Sequence, residues 1–258
     1  MIKAVFFDVD GTIVPFDKHV ITDTTLESLY ALQRNGVKVV VASGRPIYMI
    51  DNVRDFPFDA WIGCNGAHAI IGGETVCSVP VNRDSMIKMA EVAVENDIPA
   101  FLFGPEAGGV SMMNADSTEI QNKLRIPMPE FCDIVEMAKS QPIYEATIYV
   151  TKDLEEKLLH PVLSDVEYIR WHPLFTDVNP KGLSKATAMK AVLDHFGFDI
   201  SESMAFGDGG NDVPMIAASG IGVAMGNASE EVKRHADYVT LDVDNDGVTA
   251  ALKHFSLI

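Results

Sequence analysis

The apolar run KAVFF ends in two aspartates and a glycine, Asp8, Asp10 and Gly11. A continuous apolar run of this kind is typical of a strand that is buried on both faces of a parallel sheet. Carboxylates beside such a strand are costly to bury unless another group compensates them. This segment therefore predicts a parallel α/β sheet with a compensated acidic site at the end of one strand.

The next segments predict the crossover connection of a doubly wound sheet. A capping box formed by Thr24 and Glu27 opens a helical pattern, and the second apolar strand, VKVVVASG, follows it. Strand, helix and strand in this spacing form a right-handed crossover. DAWIGCNGA predicts a third strand, and AIIGGETV predicts a hairpin that turns at Gly72 and Gly73.

The pattern changes near Pro80. A helical face of Met86, Met89, Ala90 and Ala93 is followed by short strands, among them the pair VEYIRW and LFTDVN. After NPKGLSK the alternation of strands and helices resumes. We therefore predict an α/β core domain over residues 1–80 and 184–258, interrupted by an inserted α+β cap domain over residues 81–183.

Charge and composition argue against several classes of partner. The formal net charge of the 258 residues is −17, which disfavours nucleic acid and anionic lipid. No apolar run reaches the length of about 18 residues that a membrane span requires, and no signal-peptide pattern is recognised. Three widely spaced cysteines favour reduced thiols. We expect a cytoplasmic protein that binds a small molecule.

Polar residues follow several of the predicted strands. In open α/β sheets, ligands bind beyond the carboxyl ends of the strands, so these residues should converge. They are Asp8, Asp10, Ser43, Gly44, Asp208 and Asp212. Four carboxylates in one crevice require a cation, and hard oxygen ligands favour Mg²⁺. Taken singly, each motif also fits a solvated turn or a helix cap.

Bound phosphate would need local positive charge and hydrogen-bond donors in this acidic chain. The Ser43 hydroxyl, the Gly44 amide and a lysine from elsewhere can supply them. The candidate lysine is Lys185, which stands near the beginning of the helical pattern SKATAMKAVLDHF.

The segments DVDGT, ASGRP and GDGGND, together with Lys185, resemble the four motifs of the haloacid dehalogenase (HAD) superfamily of phosphohydrolases. The arrangement is most similar to the Cof-type sugar-phosphatase branch, which carries a large cap between its second and third motifs. NGA at residues 65–67 and GVAMGNA at residues 222–228 are also similar to that branch. The resemblance implies a HAD Rossmann-like core.

The resemblance also implies roles for individual residues. Asp8 would attack phosphorus to form an aspartyl phosphate, and Asp10 would act as general acid and then as general base. Mg²⁺ would be held by the Asp8 carboxylate, the Asp10 backbone carbonyl and Asp208. Ser43 and Lys185 would hold the phosphoryl oxygens, Gly44 and Asn211 would add donors, and Asp212 would orient Lys185 or a metal-bound water.

Three assignments have alternatives. Ala186 follows Lys185 where the family usually has glycine, so Lys181 competes for the role of the lysine. Arg45 either reaches the mouth of the substrate site or is structural. Arg170 either contacts the sugar from the cap or follows simple strand alternation, with Trp171 buried and its neighbours outward.

The sequence therefore predicts a magnesium-dependent phosphatase of small phosphorylated metabolites, above all hexose phosphates. One alternative is a phosphomutase, which would return the phosphoryl group to a sugar. The other is a non-catalytic protein that binds phosphorylated metabolites on the same fold.

Overall fold

The computed structural model describes residues 1–124 and 128–258. The chain forms two compact units, one from Met1–Ser78 together with Ser184–Ile258 and the other from Val79–Leu183. The sequence places the corresponding boundaries after residue 80 and before residue 184. Strands and helices are numbered below in chain order over both units.

An eight-stranded sheet forms the centre of the first unit, in the order β14-β13-β12-β1-β2-β3-β4-β5. Pairing is parallel from β14 to β3 and antiparallel through β4 and β5. The strands are β1 (Ala4–Phe7), β2 (Lys38–Ala42), β3 (Ala60–Gly63), β4 (His68–Ile71), β5 (Glu74–Ser78), β12 (Ser203–Gly207), β13 (Ile221–Ala224) and β14 (Tyr238–Val239). The predicted doubly wound parallel sheet is confirmed.

Both faces of this sheet are covered. The helices of the unit are α1 (Asp23–Arg34), α6 (Lys185–Phe196), α7 (Val213–Ala218), α8 (Glu230–Lys233) and α9 (Gly247–His254). Val5 and Phe7 of β1 belong to the core cluster that includes α1 and α9, while Ala4 and Phe6 belong to the cluster that includes α6. All four are fully buried, which explains why the strand has no polar alternation.

Two local predictions in this unit have different outcomes. The hairpin turn lies at Gly72 and Gly73, as predicted, and both have positive φ. The predicted capping residue of α1 is wrong, because the side chain of Thr22, not Thr24, accepts the hydrogen bond from the backbone N–H of Thr25. The helix therefore begins one residue before Thr24.

The second unit contains a six-stranded sheet in the order β10-β11-β9-β6-β7-β8, antiparallel except for β7 with β8. Its strands are β6 (Ala100–Phe103), β7 (Gly108–Val110), β8 (Glu130–Phe131), β9 (Glu145–Ile148), β10 (Val166–His172) and β11 (Phe175–Pro180). Its helices are α2 (Arg83–Glu95), α3 (Ala115–Leu124), α4 (Ile134–Ser140) and α5 (Lys152–Leu158). Together they form the predicted α+β segment.

The core of the second unit forms where the sheet meets its helices. The predicted helical face of α2, namely Met86, Met89, Ala90 and Ala93, is fully buried there. Val166 and Val178 of the hairpin β10–β11 belong to the same core. The predicted pairing of these two strands is confirmed.

The predicted burial of Trp171 is wrong. β10 does alternate, but its phase is set by Val166, which faces the core, so Arg170 turns inward and Trp171 is 57% exposed. The Trp171 indole N–H donates to the Asp177 carboxylate at 2.8 Å. Burial raises the pKa of the Asp177 carboxyl group, although this bond and one from Thr147 oppose the shift.

Arg170 is held by a dense set of contacts within the second unit. Its Nη2 and Nε donate to Oε2 of the buried Glu155 at 2.6 and 3.2 Å. Its Nη1 donates to four backbone carbonyl oxygens, those of Val150, His172, Pro173 and Phe175. Arg170 thus ties α5 to the turn of the hairpin β10–β11.

Over residues 1–124 and 128–258, every helix is too short or too polar to cross a bilayer.

Replacing Arg170 by alanine should destabilise the second unit by about 3–5 kcal/mol, because Oε2 of the buried Glu155 would lose its cationic partner and only the contact of Oε1 with His160 would remain. Urea unfolding followed by Trp171 fluorescence measures this change. The chain has two tryptophans, so the experiment is done in a Trp61→Phe background.

Lys152→Ala is the matched control on α5, because Lys152 makes an ion pair of 3.8 Å with Glu156 while largely exposed. It should change the free energy of unfolding by less than about 1 kcal/mol. Equal effects of the two substitutions would contradict a structural role for Arg170.

Candidate active site

A buried lysine joins two aspartates at the carboxyl end of the parallel sheet. Asp8 directly follows β1, and Lys185 is the first residue of α6. The Lys185 Nζ donates to Oδ1 of Asp8 at 2.5 Å and to Oδ1 of Asp212 at 2.6 Å. Lys185 is fully buried, whereas the alternative candidate Lys181 is exposed. The structure therefore places Lys185 beside Asp8.

Asp212 is fixed through both of its carboxylate oxygens. Oδ1 accepts from Lys185, and Oδ2 accepts from the backbone N–H groups of Asp208 and Gly209 at 3.0 and 2.9 Å. Gly207 makes this approach possible, since a Cβ there would lie 2.4 Å from the Cβ of Asp212. In this arrangement Asp212 orients Lys185 and closes the turn that carries Asp208.

Asp208 follows β12 and is held by two side chains that the sequence did not single out. The Thr12 hydroxyl donates to Oδ1 at 3.2 Å, and the Asn227 Nδ2 donates to Oδ2 at 3.2 Å. Asn227 also donates to the carbonyl oxygen of Gly11 at 2.9 Å. Gly11 has a φ of +85°, and a Cβ there would lie 2.4 Å from Oδ2 of Asp208. A glycine is required at this position.

Asp10 lies in a tight turn after Asp8, and its side chain has different partners. Its Oδ1 accepts from the Arg45 Nη2 at 2.6 Å and from the Asn52 Nδ2 at 3.3 Å. The side chains of Asp10 and Arg45 are about one-third exposed, at 34% and 39%. The structure therefore brings together three of the four carboxylates expected to converge, while Arg45 holds that of Asp10.

Hydrogen-bond donors for an anion lie at the end of β2 and in the loop after β12. Ser43 follows β2 and is buried, and its Oγ accepts from the backbone N–H of Arg45 at 3.1 Å, so its own O–H can donate to a ligand. Asn211 is exposed and donates to Oδ1 of Asn65 at 2.9 Å. The side chains of Asn65 and Asn211 both lie near the backbone of Gly44.

Burial and mutual repulsion dominate the electrostatics. Burial, followed by the charge of Asp212, raises the pKa of Asp8 to about 8 although Lys185 acts in the opposite direction. The same two causes raise the pKa of Asp208 to about 6. Burial lowers the pKa of Lys185, but the charges of Asp212 and Asp8 outweigh it, and the pKa is raised overall. The lysine therefore stays charged.

The three acidic residues fit a divalent cation. In the part of the chain that the structure describes, Asp8, Asp208 and Asp212 each offer a carboxylate oxygen within 4.8 Å of the others. One lysine cannot neutralise three carboxylates, and hard oxygen donors suit a hard cation. The two oxygens of Asp212 accept from the Lys185 ammonium and from two backbone N–H groups, whereas each oxygen of Asp208 accepts one side-chain hydrogen bond at 3.2 Å. Asp8 and Asp208 are therefore better placed than Asp212 to hold the ion.

Two predicted substrate contacts have other partners in this structure. Arg45 binds Asp10, and Arg170 binds Glu155 and backbone carbonyls in the second unit. These contacts account for the positions of both arginine side chains without a substrate. Binding of either arginine to substrate stays a prediction.

The sequence reading missed four polar residues of this site, Thr12, Asn52, Asn65 and Asn227. Thr12, Asn65 and Asn227 lie in DVDGT, NGA and GVAMGNA, segments that carried the family resemblance without a role for these side chains. Asn52 lies outside those motifs, and no pattern indicated it.

Comparison with known proteins gives a consistent family relationship. A family model described as haloacid dehalogenase-like hydrolase matches residues 5–252. The Bacillus subtilis (strain 168) protein named "Putative phosphatase YkrA" is 34% identical over 260 residues, which span 99% of this chain and 98% of that protein.

Solved structures agree over the full length. BT1666 from Bacteroides thetaiotaomicron, described among the phosphatases of the HAD enzyme superfamily, is 39% identical with a TM-score of 0.88, covering 100% of this chain and 96% of that one. BT4131, described as a HAD subclass IIB sugar phosphatase, is 35% identical with a TM-score of 0.84, covering 99% and 100%.

Mg²⁺ should raise the melting temperature more at pH 8 than at pH 5.5. The folded-state pKa of Asp8, about 8, lies above its ordinary value of 3.8, so the metal-free folded protein binds an extra proton between these values and loses stability as pH rises. A cation that binds the deprotonated carboxylates would reverse this loss. Differential scanning fluorimetry with Mg²⁺ or chelator measures the shift.

Asp208→Asn is the matched variant, since it removes one charge from the cluster of Asp8, Asp208 and Asp212 while it keeps the shape of the side chain. It should reduce the stabilisation by Mg²⁺ at pH 8. A melting-temperature shift that is equal at both pH values, or unchanged in the variant, would contradict cation binding by these carboxylates.

Proposed function

The chain belongs to the haloacid dehalogenase-like hydrolase family, and from this premise we propose that it is a magnesium-dependent phosphatase of small phosphorylated metabolites. The observation that carries the proposal is the buried Asp8 carboxylate, held at one oxygen by Lys185 and close to Asp208 and Asp212. A positioned carboxylate beside a fixed cationic side chain suits nucleophilic attack on a phosphoryl group.

In the first step, a carboxylate oxygen of Asp8 attacks phosphorus and the bond from phosphorus to the substrate oxygen breaks. Asp10 gives its proton to the departing alkoxide, which leaves as an alcohol. The Lys185 ammonium and the Ser43 hydroxyl donate to the phosphoryl oxygens. The product on the protein is a phosphorylated Asp8.

In the second step, the Asp10 carboxylate takes a proton from water while the water oxygen attacks phosphorus. The bond between phosphorus and the Asp8 oxygen breaks, which releases inorganic phosphate and restores both aspartates. Attachment of Asp10 to Arg45 and Asn52 through Oδ1 leaves Oδ2 for both proton transfers.

Mg²⁺ would be held by the carboxylates of Asp8 and Asp208 and by the backbone carbonyl of Asp10. When bound, it would neutralise negative charge on the carboxylates and on the transferring phosphoryl group. Thr12 and Asn227 would keep the Asp208 carboxylate in place through their hydrogen bonds.

Sugar phosphates, in particular hexose phosphates, are the proposed substrates. The support is similarity to BT4131, which is described as a sugar phosphatase and matches 99% of this chain. A net charge of −17 also favours a small ligand bound by local donors over an extended polyanion.

Asp8→Asn should lower phosphate release by at least about 1,000-fold, because the substitution keeps the shape of the side chain and removes the nucleophilic charge. Release of phosphate from a panel of sugar, nucleotide and aryl phosphates, with Mg²⁺ and with chelator, measures the loss. The ranking within the panel tests the proposed substrate class.

Asp55→Asn is the matched control, since Asp55 is an exposed aspartate of the same unit, and its activity should equal that of the wild type. Wild-type rates in pure Asp8→Asn protein would refute the assignment of the nucleophile. A requirement for a sugar bisphosphate would instead indicate a mutase, and phosphate binding without any release would indicate a binding protein.

Asp10→Asn should slow the first step, release of the alcohol, far more for a sugar phosphate than for p-nitrophenyl phosphate. A sugar alkoxide needs a proton in order to leave, whereas p-nitrophenolate does not. Single-turnover release of the two alcohols separates this step from the later attack by water. Equal losses on both substrates would argue against Asp10 as the general acid.

A further inference from the structure

The connection from β3 to β4 contains a tight turn at the edge of the candidate active site. Asn65 and Gly66 have φ of 53° and 100°, and the backbone N–H of Ala67 donates to the carbonyl oxygen of Cys64 at 3.0 Å. Asn-Gly is a preferred pair for such a hairpin turn, although Asp-Gly and Gly-Gly serve it as well. The turn alone therefore does not require an asparagine at position 65.

The backbone of this turn is hydrogen-bonded to one segment that carries site residues and lies close to another. The N–H of Asn65 donates to the carbonyl oxygen of Ser43 at 3.2 Å, and the N–H of Cys64 donates to that of Arg45 at 3.0 Å. A Cβ on Gly66 would lie 2.2 Å from the carbonyl oxygen of Ser184, the residue before Lys185. The turn thus packs against both predicted phosphoryl-binding segments.

The side chain of Asn65 reaches a third segment. Its Oδ1 accepts from the Asn211 Nδ2 at 2.9 Å. A Cβ on Gly44 would lie 3.3 Å from the Asn65 Oδ1 and 3.6 Å from the Asn211 Nδ2, so the paired amides lie against the Gly44 backbone. An amide nitrogen has two N–H groups, and the bond to Asn65 orients Asn211 while leaving the second available.

We propose that Asn65 is a positioning residue for phosphoryl binding, which acts by orienting the amide of Asn211 over Gly44. The inference rests on the proposed phosphatase function, because it assigns Asn211 and Gly44 to the phosphoryl group. It explains why position 65 holds a neutral side chain with a carbonyl oxygen, when the turn by itself would accept glycine or aspartate.

Two substitutions that keep the turn test the inference. Asn65→Gly removes the amide, and Asn65→Asp keeps the acceptor for Asn211 but brings a negative charge close to Gly44. The Kd of inorganic phosphate in the presence of Mg²⁺, measured by titration calorimetry, should rise about threefold to tenfold in Asn65→Gly. It should rise at least about tenfold in Asn65→Asp. The KM for a phosphate-ester substrate should rise in the same order as the Kd of phosphate, and kcat should change less.

A purely structural role predicts a wild-type phosphate Kd in Asn65→Gly, because glycine keeps the turn. The charge of Asn65→Asp would weaken phosphate binding under either role, so Asn65→Gly decides between them. Melting temperatures within a few degrees of the wild type should accompany both variants. Asp97→Gly is the control, because it makes the same kind of exchange at an exposed position with a φ of 54° in the second unit. Its phosphate Kd should not change.

A double-mutant cycle tests action through Asn211. If Asn65 works by orienting Asn211, the phosphate Kd of Asn65→Gly/Asn211→Ala should equal that of Asn211→Ala alone. Additive losses would show that Asn65 does not act through Asn211, and a wild-type phosphate Kd in Asn65→Gly would overturn the inference as a whole.

The wild-type protein separates this inference from the proposed function. Phosphate binding without turnover of any ester would refute the phosphatase while the Asn65 variants still test positioning. A wild-type protein that binds no phosphate would refute both.

Discussion

The candidate site depends on the two ion pairs that the Lys185 ammonium makes. This ammonium lies between two buried carboxylates, Asp8 and Asp212, and donates to both. Burial of any one of these charges alone would be prohibitive, and removal of a single partner would leave the others uncompensated. The fold brings the three together from the ends of two parallel strands and the beginning of a helix, so the ion pairs and the sheet support each other.

Close backbone approach is the second constraint. Gly207 leaves room for Asp212, and Gly11 leaves room for Asp208. With Cβ atoms at these positions, the carboxylates would be pushed out of reach of their donors. The acidic group is therefore determined by glycines as much as by aspartates, and Asn227 closes it by binding Gly11 and Asp208 at once.

The sequence predicted the parts of this protein that follow from strand ends and periodicity. Asp8, Asp208 and Asp212 meet because the carboxyl ends of parallel strands share one edge. Lys185 was the candidate lysine because it stands near the beginning of a helical pattern, and the family resemblance agreed with that choice. Local alternation could not predict which residues of β10 face the core. Val166 packs into the core and the buried Glu155 of α5 binds Arg170, and together these contacts turn Arg170 inward. Contacts made by single side-chain amides, such as those of Asn52 and Asn65, join segments that are far apart in sequence. Such contacts leave no periodic pattern.

The pairing of β1 with β12 has a consequence for the order of folding. Ala4 lies opposite Ser203, so the centre of the first sheet joins two segments separated by about three-quarters of the chain, including all of Val79–Leu183. Contacts of such sequence separation form late, because the loop between them must be closed first. During synthesis, residues 79–183 leave the ribosome complete while β1 still lacks one of its two neighbours. We therefore expect the inserted unit to become compact first, and Asp8 to meet Asp208 and Lys185 only in the last stage of folding.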